Sequence, residues 1–410
     1  MRALLLVLDS VGIGHAPDAA RYGDEDADTL GHILAETPDL QLPALCSLGL
    51  PELADGRLPA LAEYRASYGR MQEQSPGKDT TTGHWELAGI LLPAPFEVFE
   101  RFPEDLVRAI EEEAGVEFIG NYACSGTTIL EELGAEHMRT GKPILYTSAD
   151  SVLQIAAHEE VIPVDRLYRI CGIARRHADD FRIGRVIARP FAGGEGDFRR
   201  TIGRHDYSIE PPRSVLNALA ENGTSVIGVG KISDIFAGAG ISRSFPITSN
   251  LEGMARIDEL WPQAKDAFLF ANLVDFDMLF GHRRDVAGYA CALREFDRWL
   301  AAFIPQIAPA DLVIVTADHG NDPTFRGTDH TREEVPLFVF HGGSVRDLGT
   351  RETFADVAAT LAEFFRLASW PVGTSLLCTG SIPRSQGVLR GTGVSPVPRA
   401  VPPKRCTSLH

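Results

Sequence analysis

Three acid-and-histidine clusters and one run of threonines carry most of the chemistry that this chain could do. Asp9 ends an apolar run at the N-terminus. Asp275-Phe276-Asp277 ends a second, with His282 five residues after Asp277. Asp318-His319-Gly320-Asn321-Asp322 ends a third, and Asp329-His330 follows after a short loop. A single aspartate after a strand is usually a turn former or a cap, and a single histidine is usually structural. Their joint occurrence behind three apolar runs points to metal chemistry instead. Carboxylates and imidazoles without thiolates suit Mn²⁺, Mg²⁺ or Zn²⁺, and three aspartates with three histidines are about enough for two ions.

The threonines stand in Gly77-Lys78-Asp79-Thr80-Thr81-Thr82-Gly83-His84-Trp85-Glu86. Consecutive β-branched hydroxyl residues are poor material for a helix interior. At a helix N-terminus they present an oxygen where backbone N–H groups and the helix dipole favour an anion. A threonine hydroxyl is a weak nucleophile and needs a base or a metal. The acid-and-histidine clusters would supply it, with any of the three threonines as the nucleophile.

The elements that position these groups are legible as period and run length. Residues 3–8 form a continuous apolar run, as expected of a central parallel strand covered on both faces. Further strand candidates are 225–230, 267–274, 312–316 and 335–340. A helical period runs from Val286 through Tyr289, Ala290, Leu293, Phe296 and Leu300 to Phe303, and again from Phe354 to Phe365. The alternation predicts an α/β core with helices on both faces of its sheet, and ligands of such a sheet gather at the carboxyl ends of its strands.

Residues 97–213 change character, with an acidic helix over 104–113, short strands, and Arg/Gly-rich turns at 185–189 and 193–200. This segment predicts a smaller α+β cap domain inserted into a core formed by 1–96 and 214–378. Residues 379–410 are rich in Pro, Gly and Ser without periodicity, the composition of a disordered tail.

The net charge of −17 without a basic stripe argues against a nucleic-acid partner. No run approaches the ~18 apolar residues that span a bilayer. The six-residue apolar stretch near the N-terminus ends in Asp9 without a small-residue cleavage site, so a cytoplasmic protein with no membrane partner is expected. Six scattered cysteines without a C-x-x-C pair read as reduced thiols. Gly12-Ile13-Gly14 is no dinucleotide fingerprint, because Pro17 stands where the third glycine belongs.

Over roughly residues 1–375 the chain resembles the phosphopentomutases, a family of the alkaline phosphatase superfamily. The matching segments are 8–14, 77–86, 146–154 (Tyr-Thr-Ser-Ala-Asp-Ser-Val-Leu-Gln), 272–277 with 281–285, and 316–322 with 328–333. The threonine motif and 146–154 point to the mutase rather than to the wider superfamily. The resemblance implies an alkaline-phosphatase-like core. It implies two Mn²⁺ per chain, or Mg²⁺ or another divalent ion in their place. Asp9, Asp318 and His319 would hold one, and Asp277, His282 and His330 the other.

Thr80 would carry a phosphoryl group between them, with Thr81, Thr82 and Asp275 in supporting roles. The implied reaction interconverts ribose 1-phosphate and ribose 5-phosphate, and the 2-deoxy analogues, through a pentose 1,5-bisphosphate. A pentose or hexose bisphosphate would act as activator, and the partner is a small-molecule sugar phosphate. Arg185, Arg200 and Lys231 are candidates for its phosphate, and Asp150 for a ribose hydroxyl. The alternative with the same cluster is a metal-dependent phosphatase or phosphodiesterase, in which water takes the phosphoryl group.

Overall fold

The computed structural model describes residues 1–148 and 151–377. Asp150 and the 379–410 segment lie outside the described residues. Strands β1 (Arg2–Leu8) and β2 (Ser67–Met71) open the chain. A second set follows: β3 (Ile119–Ala123), β4 (Ile144–Thr147), β5 (Val152–His158), β6 (Arg185–Ala192), β7 (Arg199–Arg200) and β8 (His205–Ser208). The last set is β9 (Ser225–Val229), β10 (Arg243–Phe245), β11 (Ala267–Leu273), β12 (Leu312–Thr316), β13 (Val335–Phe340) and β14 (Asp347–Arg351).

The first and last sets form one eight-stranded sheet in the order β10-β9-β11-β1-β12-β13-β2-β14. It is parallel except at β13, which runs against both β12 and β2. β1 lies at its centre, paired with β11 from Arg2↔Ala267 to Leu8↔Leu273 and with β12 from Ala3↔Leu312 to Val7↔Thr316. Ala3 to Leu8 and all of β11 and β12 are buried, as an unbroken apolar strand requires when helices cover both faces. Because β9, β11, β1 and β12 are parallel, their carboxyl ends share one edge of the sheet. Asp9, Asp277, Asp318 and Lys231 all lie just beyond that edge.

The second set forms its own six-stranded sheet, β3-β4-β5-β6-β7 with β8 also on β6. Its core is separate, built from Leu145, Leu153, Ile155, Val186 and Ala188 against the helices Glu104–Ala114 and Val164–Ala178. One local expectation is corrected here. Residues 185–189 form the start of β6 and not a turn, because Val186, Ile187 and Ala188 are buried between β5 and β8. Arg185 and Arg189 share one face of the strand with buried Ile187, and Val186 and Ala188 point to the other. Among the described residues no helix is long and apolar enough to cross a membrane.

Candidate active site

The threonine motif starts a helix, Thr80–Leu87, with Asp79 as its extended N-cap. The Asp79 carboxylate accepts from Thr82 N (3.1 Å) and from Thr82 Oγ1 (2.6 Å), which satisfies an otherwise orphan first-turn donor. Thr82 therefore serves the cap, and Thr80 stands first in the helix. The rest of the motif anchors it. Trp85 donates to the carbonyl of Ile235 (3.0 Å). Glu86 accepts from the backbone of Gln74, Ser75 and Phe354 and from the Thr353 hydroxyl. Gly83 lies flat on the Asp318 backbone, where a Cβ would overlap the carbonyl oxygen.

Thr80 Oγ1 is 3.1 Å from His319 Nε2. His319 Nδ1 faces the carbonyl of Gly320 at 3.0 Å. A carbonyl only accepts, so the proton is on Nδ1 and Nε2 offers a lone pair. That lone pair also faces Asp9 Oδ1 (3.5 Å) and Asp318 Oδ2 (3.3 Å). Burial pushes the His319 pKa down, against the pull of Asp318, which keeps the ring neutral.

Asp277 and His282 come from a single π-helical turn, Phe276–Gly281, whose i→i+5 bond runs from His282 N–H to the carbonyl of Asp277. Five residues apart they would diverge on an α-helix, but on this wider turn they face each other, with His282 Nε2 3.2 Å from Asp277 Oδ2. His282 Nδ1 donates to the Thr328 carbonyl (2.6 Å). His330 Nε2 is 3.3 Å from Asp277 Oδ1, and its ring centroid is 4.1 Å from that of His319. Two trios of ligand-type atoms result, each mutually within 4.8 Å: Asp9, Asp318 and His319, and Asp277, His319 and His330. The six side chains expected from the sequence thus converge. His319 rather than His282 completes the second trio, and His282 sits against Asp277 from the side.

The electrostatics suit cations. Asp9 Oδ1 and Asp318 Oδ2 are buried without a well-directed donor. His319 Nε2, which faces both, carries a lone pair, and His84 Nδ1, 3.0 Å from Asp318 Oδ2, makes no aligned hydrogen bond to it. Acceptors facing one another at such distances need protons or a metal between them. Burial raises the Asp9 pKa well above the usual range. The charges of Asp318 and Asp277 add to this, and Lys231 opposes it. Burial would raise Asp277 and Asp318 as well. The imidazoles His330, His282 and His319 outweigh it for Asp277, and His319 with His84 for Asp318, so both carboxyls are held low. Carboxylates and imidazoles are the donor set that a divalent ion selects.

Several further residues support the cluster and the threonine motif. Ser10 adopts φ +77°, unusual for a residue with a Cβ. This turns its N–H onto Asp318 Oδ1 (3.1 Å), while buried Tyr289 binds both its hydroxyl and its carbonyl. Asn272 links Lys231 N (2.9 Å) to Asp9 Oδ2 (3.4 Å). Asn321 donates to Asp277 Oδ1 (2.7 Å). Arg332, fully buried, binds Glu73, Asp18 and the carbonyls of Ser75 and Gly77, pinning the loop that leads to Thr80. Lys78 bridges Asp24 (3.1 Å) and Asp329 (3.2 Å). Asp275 turns away and accepts from Asn250 N at the start of the helix Asn250–Leu260 (2.7 Å).

Of the expected substrate residues, Lys231 is close enough to Asp9 to be felt electrostatically. Arg185 and Arg200 belong to the second sheet. Arg185 opens β6, 3.8 Å from Asp206, and Arg200 hydrogen-bonds Tyr146. Arg189 and Arg204 also lie near Tyr146, an arginine cluster of which the sequence suggested only part.

Residues 1–369 match the family model of the metalloenzyme superfamily. A phosphopentomutase of Syntrophotalea carbinolica is 51% identical over 372 residues, covering 89% of this chain and 95% of that protein. One of Desulfitobacterium hafniense is 51% identical over 383 residues, covering 92% and 98%. One of Carboxydothermus hydrogenoformans is 52% identical over 377 residues, covering 89% and 96%. With that identity over nearly the whole described length, an alkaline-phosphatase-like α/β fold and a metal-type donor cluster, the chain belongs to the phosphopentomutase family, isomerases that work by phosphoryl transfer.

Proposed function

We propose that the chain interconverts α-D-ribose 1-phosphate and D-ribose 5-phosphate, and their 2-deoxy analogues, through phosphorylated Thr80 and a pentose 1,5-bisphosphate. The observation that carries this reading is Thr80 itself, first in its helix with Oγ1 3.1 Å from the unprotonated Nε2 of His319. Phospho-Thr80 gives its phosphoryl group to the free hydroxyl of the bound sugar phosphate. The Thr80 Oγ–P bond breaks as the sugar O–P bond forms, and the sugar hydroxyl proton ends on Thr80. After the bisphosphate turns round, its other phosphoryl group passes to Thr80 by the same exchange in reverse. A bisphosphate activator would load Thr80 at the outset.

Asp9, Asp318 and His319 would hold one Mn²⁺, and Asp277, His282 and His330 the other. Such a pair lowers the hydroxyl pKa and stabilises charge on the phosphoryl oxygens. Lys231, Arg185 and Arg200 would hold the phosphate that is not reacting, and Asp150 a ribose hydroxyl. Residues 97–213 act as a cap that brings the arginines over a core of 1–96 and 214–378 and keeps water from phospho-Thr80.

The purified protein with Mn²⁺, a trace of pentose bisphosphate and ribose 5-phosphate should form ribose 1-phosphate with little inorganic phosphate. Rapid phosphate release without ribose 1-phosphate would instead mark a phosphatase. Intact-mass measurement after bisphosphate treatment should show one phosphate per chain, absent from Thr80→Ala. Phosphate retained by that variant would remove Thr80 as the acceptor.

A further inference from the structure

His84 has no part in the chemistry above, yet it is fully buried in the turn of helix that begins at Thr80. Its ring stacks on Phe270, with centroids 5.7 Å apart and planes inclined by 22°. Nε2 is buried and meets no hydrogen-bond partner. An aromatic hydrocarbon ring would fill this space without leaving a polar atom unpaired, an omission that carries a real energetic cost. The reason for a histidine must therefore lie at the other nitrogen. Nδ1 is 2.9 Å from the carbonyl of Thr80 and 3.0 Å from Asp318 Oδ2. Both are acceptors, so Nδ1 bears the proton. The N–H points at the Thr80 carbonyl, and Oδ2 lies against Nδ1 off the N–H direction, in contact without an aligned hydrogen bond.

We propose that His84, with a proton on Nδ1, is a positioning residue that ties the Thr80 peptide to the Asp318 carboxylate. It thereby sets the distance from the Thr80 hydroxyl to the Asp9–Asp318–His319 group. Two further contacts act in the same direction. Ser10 N–H holds the other oxygen of Asp318 (3.1 Å), so the carboxylate is gripped from β1 on one side and from the Thr80 helix on the other. Gly83, the neighbour of His84, lets that helix lie directly on the Asp318 backbone. The ring, locked between Phe270 and its own helix, is a rigid spacer for this contact. The inference rests on Thr80 being the phosphoryl acceptor.

The test compares His84→Phe, which keeps the stacked ring and removes the donor, with His84→Asn, whose amide nitrogen takes the place of Nδ1. Both are made in the full chain and assayed with ribose 5-phosphate. His84→Phe should lower kcat by about 100-fold, the usual effect of a displaced reacting group, with KM within about twofold. His84→Asn should recover at least about tenfold of that loss. Turnover of His84→Phe within about threefold of the parent, or equal impairment of the two variants, would overturn the proposal. A readout independent of either variant is the two-bond ¹H–¹⁵N spectrum of the parent protein. A protonated Nδ1 is expected at His84, and a protonated Nε2 would refute the assignment. Thr80→Ala, run alongside, separates the two readings. If it keeps turnover, the acceptor assignment fails whatever His84 does, and the tautomer spectrum still judges His84.

Discussion

Replacing Gly83 with alanine should separate activity from stability. A Cβ built there would overlap the Asp318 carbonyl oxygen and stand 3.0 Å from both the carbonyl carbon and Cβ of Asp318. Carbon atoms rest at roughly 3.5–4.0 Å, so about 0.5–1 Å must open between the Thr80 helix and the loop after β12. Overpacking of this kind costs about 1–3 kcal/mol. Glycine to alanine inside a helix returns about 1 kcal/mol, leaving a net loss of roughly 0–2 kcal/mol. Turnover should suffer more. A shift near 1 Å between Thr80 and His319 predicts about a 100-fold fall in kcat, or ~2.7 kcal/mol at the barrier. The assay is kcat with ribose 5-phosphate beside the thermal midpoint of the same preparation. Gly172→Ala is the control: it lies in the helix Val164–Ala178 with open space at its Cβ position, and should be neutral or slightly stabilising. If Gly83→Ala turned over within about threefold of the parent, close packing of this helix would not set the reacting distance.

Three further outcomes are expected. Glu333 is buried and its pKa is pushed up to about 7 by burial, against hydrogen bonds from Thr29, Thr331 and Gly14. The folded state therefore holds a proton that the unfolded chain releases near its ordinary value of 4.5. Stability from this group is fully present below about pH 4.5 and is lost as pH rises to about 7, by up to ~3 kcal/mol. Denaturant unfolding across that window should lose this slope in Glu333→Gln, and an unchanged slope would contradict the assignment. Ser10→Gly should keep turnover within a few-fold, because the bond to Asp318 is from the backbone and glycine accepts φ > 0 freely, whereas Ser10→Val should cost roughly 2 kcal/mol or more in unfolding experiments. Equal stability of the two would mean that the left-handed turn is not needed. Arg332→Met leaves Glu73 buried without its cation, so unfolding free energy should drop by about 3–5 kcal/mol, and a drop below ~1 kcal/mol would show that the buried pair contributes little.

How much of this was legible depends on the kind of interaction involved. The central strands were, because burial on both faces demands unbroken apolar runs: 3–8, 267–274, 312–316 and 335–340 match β1, β11, β12 and β13 to within a residue or so. β2, with the sequence Ser-Tyr-Gly-Arg-Met, gave no such run, since it lies near the sheet edge and only alternate residues are buried. Residues 185–189 misled for a related reason, their arginines masking a half-buried strand. At the site, strand ends announced Asp9, Asp277 and Asp318. His84, Ser10, Asn272 and Asn321 could not be found that way, because each acts through partners brought near only by the fold. The π-helical turn explains the five-residue spacing of Asp277 and His282, a spacing that has no meaning on an α-helix.

The central place of β1 has a consequence for synthesis of the chain. It is made long before its partners: one hydrogen-bonding edge waits for β11 and the other for β12. The contacts at its start, from Met1 to Asp266 and from Arg2 to Asp311, span 265 and 309 residues. At the ~5–20 residues per second of translation, this apolar strand stays unpaired for roughly 10–60 seconds. The intervening sheet of β3–β8 has its own core and can form in that interval. A chain stalled or truncated before Leu312 would still expose an open edge of β1, a template for pairing with other chains. Production of this enzyme should therefore respond more to chaperone supply and elongation rate than its finished stability would suggest.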